Sequence, residues 1–225
     1  MEPREMLEYE QYLVQHPEIF VPLLRAQLMA LPATLGDFDL QFKDWSISVA
    51  PYASGGRPRC LRLLSMLDEY PVDVVDPIVQ EFFSALATLA LQARDLLESE
   101  IQARSEMTAA ERVPGRVAFR ETIRKHDIVF DGLDGTVTTA ERLGSDVLLD
   151  DVLALLERDD PSAQETGARY IDYALTHAVS RPEVASFLRR RGQELSIDAN
   201  ERSARVGEEL LEQAGRATDT GSDSR

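Results

Sequence analysis

The apolar positions of the chain change rhythm along its length. Between residues 3 and 31, Leu7, Leu13, Ile19, Phe20, Leu23, Leu24, Leu28 and Leu31 recur at roughly helical spacing, with a break at Pro17 and a stop at Pro32. This predicts a helical hairpin. From Phe38 the period becomes two: Phe38, Leu40 and Phe42 alternate, and Trp45, Ile47 and Val49 alternate out of phase with them. A turn at Lys43-Asp44 would put all six side chains on one face, so a small β-hairpin is expected over residues 38–49. Lys-Asp lacks the glycine or asparagine that tight hairpin turns favour, which leaves a bulged single strand as the alternative. Cys60 to Leu67 fits a helix slightly better than a third strand.

A longer helical phase follows. Asp76 and Pro77 read as a cap and a first helical residue. Ile78, Phe82, Phe83, Leu86, Leu89, Ala93, Leu96, Leu97 and Ile101 then keep step, predicting the longest helix, from Pro77 to Glu111. Beyond Pro114 a start signal recurs at Thr138/Glu141, Ser162/Glu165, Ser180/Glu183 and Asp198/Glu201. An oxygen-bearing side chain there accepts from a free backbone N–H three residues on, and in the Ser and Thr cases the glutamate reaches back. Helices are therefore predicted near 139–157, 163–178, 182–195 and 199–214, joined by tight turns as antiparallel neighbours.

The expected fold is mainly α: an irregular helical bundle or short helical-repeat array, with the β-hairpin near residues 38–49. Around Ser162 to Leu188 the helix lengths and apolar spacing resemble a HEAT-type repeat, without a repeated residue signature. Three parts are expected: residues 1–70 as helical hairpin plus β-hairpin, 71–215 as the helical bundle, and 216–225 as a disordered tail, since no large apolar side chain lies there.

Composition narrows the setting. With 225 residues the chain can bury an ordinary core unaided. A single cysteine, Cys60, excludes an internal disulfide framework and suits the cytoplasm. The N-terminus is too acidic for a signal peptide, and the longest apolar run, Phe82 to Ala93, is too short for membrane insertion. The net charge is −16, and of 24 basic residues all but Lys43 and Lys125 are arginine. A GC-rich genome would favour arginine codons, and a halophilic cell would favour a carboxylate-covered surface because salt screens its self-repulsion. Such a surface makes nucleic acid a poor partner.

The stretch Phe130 to Glu141 resembles the second half of an EF-hand calcium loop. With Gly135 as its turn glycine, Asp134, Thr136 and Glu141 take the fifth, seventh and twelfth positions, and Asp131 lies beside them. The resemblance implies a calcium site at Asp131, Asp134, Thr136 and Glu141. Its first half departs from the pattern, with Phe130 and Gly132 where carboxylates are needed, which weakens calcium binding severely. Thr138 and Glu141 are equally explained as a capping box.

Val129 to Thr136 also resembles the nucleophile motif of haloacid-dehalogenase-like phosphatases. Asp131 and Asp134 stand three apart rather than two, on opposite pleats of an extended segment. Thr138 to Gly144 resembles the first helix of a helix-turn-helix, followed by Asp146, Asp150 and Asp151, which would repel a phosphate backbone.

A basic cluster, Arg189, Arg190 and Arg191, can dock a carboxylate-rich partner or a phosphate, or simply balance nearby glutamates and a helix C-terminus. His16, His126 and His177 stand apart, with no His or Cys at ligand spacing. No catalytic constellation stands out. The leading expectation is a non-enzymatic protein–protein interaction or scaffold protein, acting on a protein partner or as a homo-oligomer. Its basis is the apolar phase of the long helix, which outruns what one small core requires. A metal- or ligand-binding regulator using the 130–141 segment, and a DNA-associated regulator, are the alternatives.

Overall fold

The computed structural model describes residues 12, 15–29, 31, 33–36, 67, 70–178 and 181–219. These are predominantly helical, with no strand among them. The expected β-hairpin at 38–49, and most of the N-terminal helix before Pro17, lie outside the described residues. The chain divides into two compact units, residues 1–145 and 146–225, where the sequence suggested a division at residue 70.

In the first unit, α1 (Pro17–Met29) packs on α2 (Val72–Ser105), and α2 packs on α3 (Arg116–Leu143). Phe20 of α1 is fully buried and stacks on Tyr70, with centroids 5.3 Å apart. The helix α2 starts a turn earlier than Asp76-Pro77 suggested, directly after Pro71. Pro77 therefore sits inside the helix, where its missing N–H forfeits one bond near the start. Asp76 is not a cap: its Oδ1 accepts from the Ser145 hydroxyl at 2.7 Å.

Val75, Ile78, Val79, Phe82, Phe83, Leu86, Leu89, Ala90 and Ala93 form the buried stripe of α2, in the phase read from the sequence. The helix is also long and apolar enough to cross a membrane by length and composition, and half of that stretch is buried inside the protein.

The helix α3 is the main departure from expectation. It runs unbroken through Phe130–Glu141, where the Asp-Gly pairs suggested a loop. Four pairings explain its placement. Near one end, Arg104 lies 4.5 Å over the Phe119 ring and Thr122 donates to Glu100 at 2.8 Å. Farther along, Arg94 lies 5.0 Å over Phe130, and at the other end Ser145 meets Asp76.

These pairs step in opposite directions, so α2 and α3 form an antiparallel hairpin with one continuous register. That register sets Gly132 and Gly135 level with Ala90 and Ala87. Each glycine costs a helix about 1 kcal/mol relative to alanine; Gly132 is buried and Gly135 half-buried. Thr136 and Thr139 are buried beside them because each hydroxyl donates back to its own helix, to the Gly132 and Gly135 carbonyls, both at 2.8 Å. Gly144 ends α3 in the left-handed conformation at φ 63°, which only glycine adopts without strain.

The second unit holds α4 (Leu149–Glu157), α5 (Pro161–Ala168), α6 (Ile171–His177), α7 (Pro182–Ser196) and α8 (Glu201–Asp219). The helix expected over 139–157 is two, broken at Gly144, and that expected over 163–178 is two, broken at Arg169-Tyr170. The cap of α5 is Asp160, whose Oδ1 accepts from Ser162 N at 3.0 Å, with Pro161 following. Asn200 caps α8, accepting from Arg202 N at 3.0 Å, while Asp198 holds the Asn200 N–H at 2.8 Å. The last helix continues through 216–219, so the start of the expected tail is helical.

The helices of this unit have unequal lengths, and α8 packs on α5, α6 and α7 together. A solenoid repeat touches only its neighbours, whereas this is a closed bundle. Its tightest crossing is α7 on α8. A Cβ on Gly192 would lie 3.1 Å from the Gly207 carbonyl oxygen, and one on Gly207 would lie 2.8 Å from the Gly192 oxygen and against the backbone of Leu195 and Ser196. Gly167 of α5 is similarly close to α4, its Cβ position 2.8 Å from Leu156 Cγ. Tyr173, almost fully buried, accepts at its hydroxyl from Leu148 N at 3.2 Å and so ties α6 to the start of α4.

Candidate functional site

The calcium-loop reading of 130–141 is corrected by the backbone. A helix separates Asp131 from Glu141 by about 15 Å along its axis, and an EF-hand loop must instead curl its ligands around one point. Asp131 and Glu141 point to solvent, Asp134 is half-buried, and Thr136 is fully buried with its hydroxyl committed to Gly132. Among the described residues no cluster of three or more His, Cys, Asp or Glu side chains stands close enough to hold a metal ion. Thr138-x-x-Glu141 is mid-helix and caps nothing.

The arginine cluster separates into different roles. Arg191 donates from Nε to the Leu156 carbonyl at 2.8 Å and from one terminal nitrogen to Arg158 O at 3.2 Å, closing the C-terminus of α4. Its other terminal nitrogen meets Glu194 at 3.1 Å. It is a fastener between helices, so the expected docking role does not extend to it. Arg190 is exposed, near Glu194 at 3.8 Å and over the Phe187 ring at 5.6 Å, and Arg189 is exposed.

Two further arginines act as fasteners. Arg202 grips Glu165 through two bonds, 3.0 and 2.8 Å, and also reaches the Ser162 hydroxyl at 3.1 Å. Arg181 bonds Glu183 at 3.2 Å and Asp150 at 3.1 Å. The bond to Glu183 and the neighbouring Asp150 hold the Arg181 guanidinium above its ordinary value, and the Glu183 carboxyl lies below its own because the backbone and Arg181 both donate to it.

The histidines stay apart. His16 contacts Glu18 at 2.9 Å, His126 contacts Asp127 at 3.2 Å, and His177 meets the edge of Tyr173 at 4.9 Å. A shallow groove in the first unit is lined by Leu31, Ala33 and the α2 face from Pro77 to Thr88. Among the described residues Glu81 is the one ionisable group lining it, and Arg25 engages it at 3.4 Å.

The feature that stands out is the far end of the α2–α3 hairpin. Burial on α2 stops at Ala93 and resumes on α3 only at Thr122. From Ala93 to the end of α2 is about 18 Å of helix with nothing buried. Ile101, Met107, Val113 and Val117 on this tip are 51, 40, 67 and 77 % exposed. Single exposed apolar residues are ordinary, and these four all fall at this end of the hairpin.

The tip is nonetheless built firmly. Arg104 donates to the Arg112 carbonyl at 2.9 Å and the Gly115 carbonyl at 3.1 Å while its plane covers Phe119. Thr108 and Glu111 form a capping box that sequence reading missed: the Thr108 N–H and hydroxyl both donate to Glu111 Oε2 at 2.7 Å. Its Thr-x-x-Glu spacing is the same as that at Thr138.

No family model matches the chain, and neither a curated protein nor a solved structure does. Its own geometry has to speak for it.

The Thr108 bonds hold the Glu111 carboxyl below its ordinary value. A carboxylate with a depressed folded pKa contributes stability that is complete above the ordinary carboxylate range and fades as pH falls through the folded value. Acidification should therefore loosen this turn before the helices melt. Following the Thr108 amide resonance against pH tests this; an amide shift tracking global unfolding alone would count against it.

Proposed function

We propose that the chain is a non-enzymatic interaction or scaffold protein whose docking element is the tip of the α2–α3 hairpin. One observation carries this reading: a firmly braced helical tip that holds Ile101, Met107, Val113 and Val117 in solvent beyond the end of the core. Exposed apolar area on a rigid support is what binding at low entropic cost requires. The helix phase running past the core has a use only if something covers it.

The test is affinity purification of the tagged chain from its own cells at native salt, beside the variant Ile101→Ser/Val113→Ser/Val117→Ser. Recovery of a stoichiometric partner, falling at least about tenfold in the variant, supports the reading; tenfold corresponds to about 1.4 kcal/mol of binding. Partner recovery unchanged by the variant, or no partner at all, removes the tip from the account. Helicity by circular dichroism should match between the two proteins, because none of the three residues is buried.

A further inference from the structure

The exposed face of α3 has an order of charges that the helix itself does not explain. At 3.6 residues per turn, Arg116, Arg120, Arg124, Asp127, Asp131 and Asp134 fall within an arc of about 80°, opposite the seam with α2. All are exposed except the half-buried Asp134. Over residues 116–134 the basic side chains come first and the acidic ones after them; Arg142, exposed on the same arc, follows in the last turn. The first turn of α3 has no acid, which the helix macrodipole would favour there, while Arg142 in its last turn suits it.

We infer that this face is a self-complementary dimer interface, occupied by the same face of a second copy of the chain running antiparallel. A two-fold axis passing between Lys125 and His126 brings Arg116 against Asp134, Arg120 against Asp131 and Arg124 against Asp127 of the other copy. The symmetry then repeats each pairing. The stripe spans about 27 Å, so both sets meet at once.

Charge complementarity singles out this occupant. An anionic membrane or a nucleic acid would attract the arginine end and be repelled by the aspartate end, and parallel copies would set like on like. Arg120 and Asp131, the middle pair, make no ion pair among the described residues, while Asp127 contacts His126 at 3.2 Å and Arg124 and Asp134 each have a partner within the chain, contacts that the dimer would have to share or exchange. The inference goes beyond the tip reading and uses different residues, so either can fail while the other stands.

The test is light scattering and sedimentation over a range of concentrations, at the lowest salt that preserves helical circular dichroism. The wild-type chain is expected to pass from monomer to dimer, with the equilibrium moving to monomer as salt rises. Arg116→Glu/Arg120→Glu alone, and Asp131→Arg/Asp134→Arg alone, should each weaken the dimer at least tenfold. Mixing these two variants should restore it, since both contacts of the mixed dimer then join opposite charges. A wild-type chain monomeric at every concentration would overturn the inference, as would a dimer indifferent to either reversal, or a mixture that stays monomeric.

Discussion

Replacing Gly207 by alanine should destabilise the second unit by about 3 kcal/mol or more, at the upper end of what overpacking costs. The added methyl would meet the backbone of Leu195 and Ser196 and the Gly192 oxygen rather than a side chain that can rotate away. The two helices must move apart, and the contacts of α7 with α8 loosen along their length. Gly215→Ala, on the same helix, is the internal control. A Cβ there meets nothing within 4 Å, so it should stabilise by roughly 0.5–1 kcal/mol through helix propensity alone. Thermal or urea unfolding of the two variants should shift in opposite directions. Equal effects would mean that the glycine-on-glycine crossing is looser than described.

Arg202→Met should cost about 2–3 kcal/mol, less than a fully buried pair because its side chain retains 26 % exposure and that of Glu165 18 %. The loss comes mostly from Glu165, left partly desolvated without its two bonds, with the Ser162 hydroxyl losing a donor as well. Arg202→Met combined with Glu165→Leu should recover most of the stability, since removing both charges leaves nothing stranded. A double-mutant cycle measured by urea unfolding decides it. Additive effects would show that the pair is not coupled.

The sequence is legible where one signal is long and unopposed. The apolar phase of α2 holds over many turns, and neither its start nor its length could be missed by more than a turn or so. The α3 helix was hidden because Asp131-Gly132 and Asp134-Gly135 carry turn chemistry, and the stripe Val129, Phe130, Leu133, Val137 and Ala140 that the helix buries makes helix the better outcome. Thr108/Glu111 and Thr138/Glu141 show the limit of local motifs: the same four-residue spacing closes a turn between α2 and α3 and is an ordinary exposed pair inside a helix.

The roles of Arg191 and Arg202 were not readable for a different reason. Their partners lie 35 and 37 residues away in the chain, and nothing local distinguishes a fastener from a docking cluster. The tip was half legible. Ile101 belongs visibly to the apolar phase of α2, but that the core ends at Ala93 depends on where Thr122 comes to rest.

The register of the hairpin also sets an order of assembly. The chain separation closed by each contact grows from 11 residues at Arg104–Gly115 to 69 at Ser145–Asp76. Closing the short loop costs the least entropy, and each later contact extends a structure already begun. The hairpin should therefore zip from tip to base, so that during synthesis the surface offered to a partner is in place before the unit beneath it is complete.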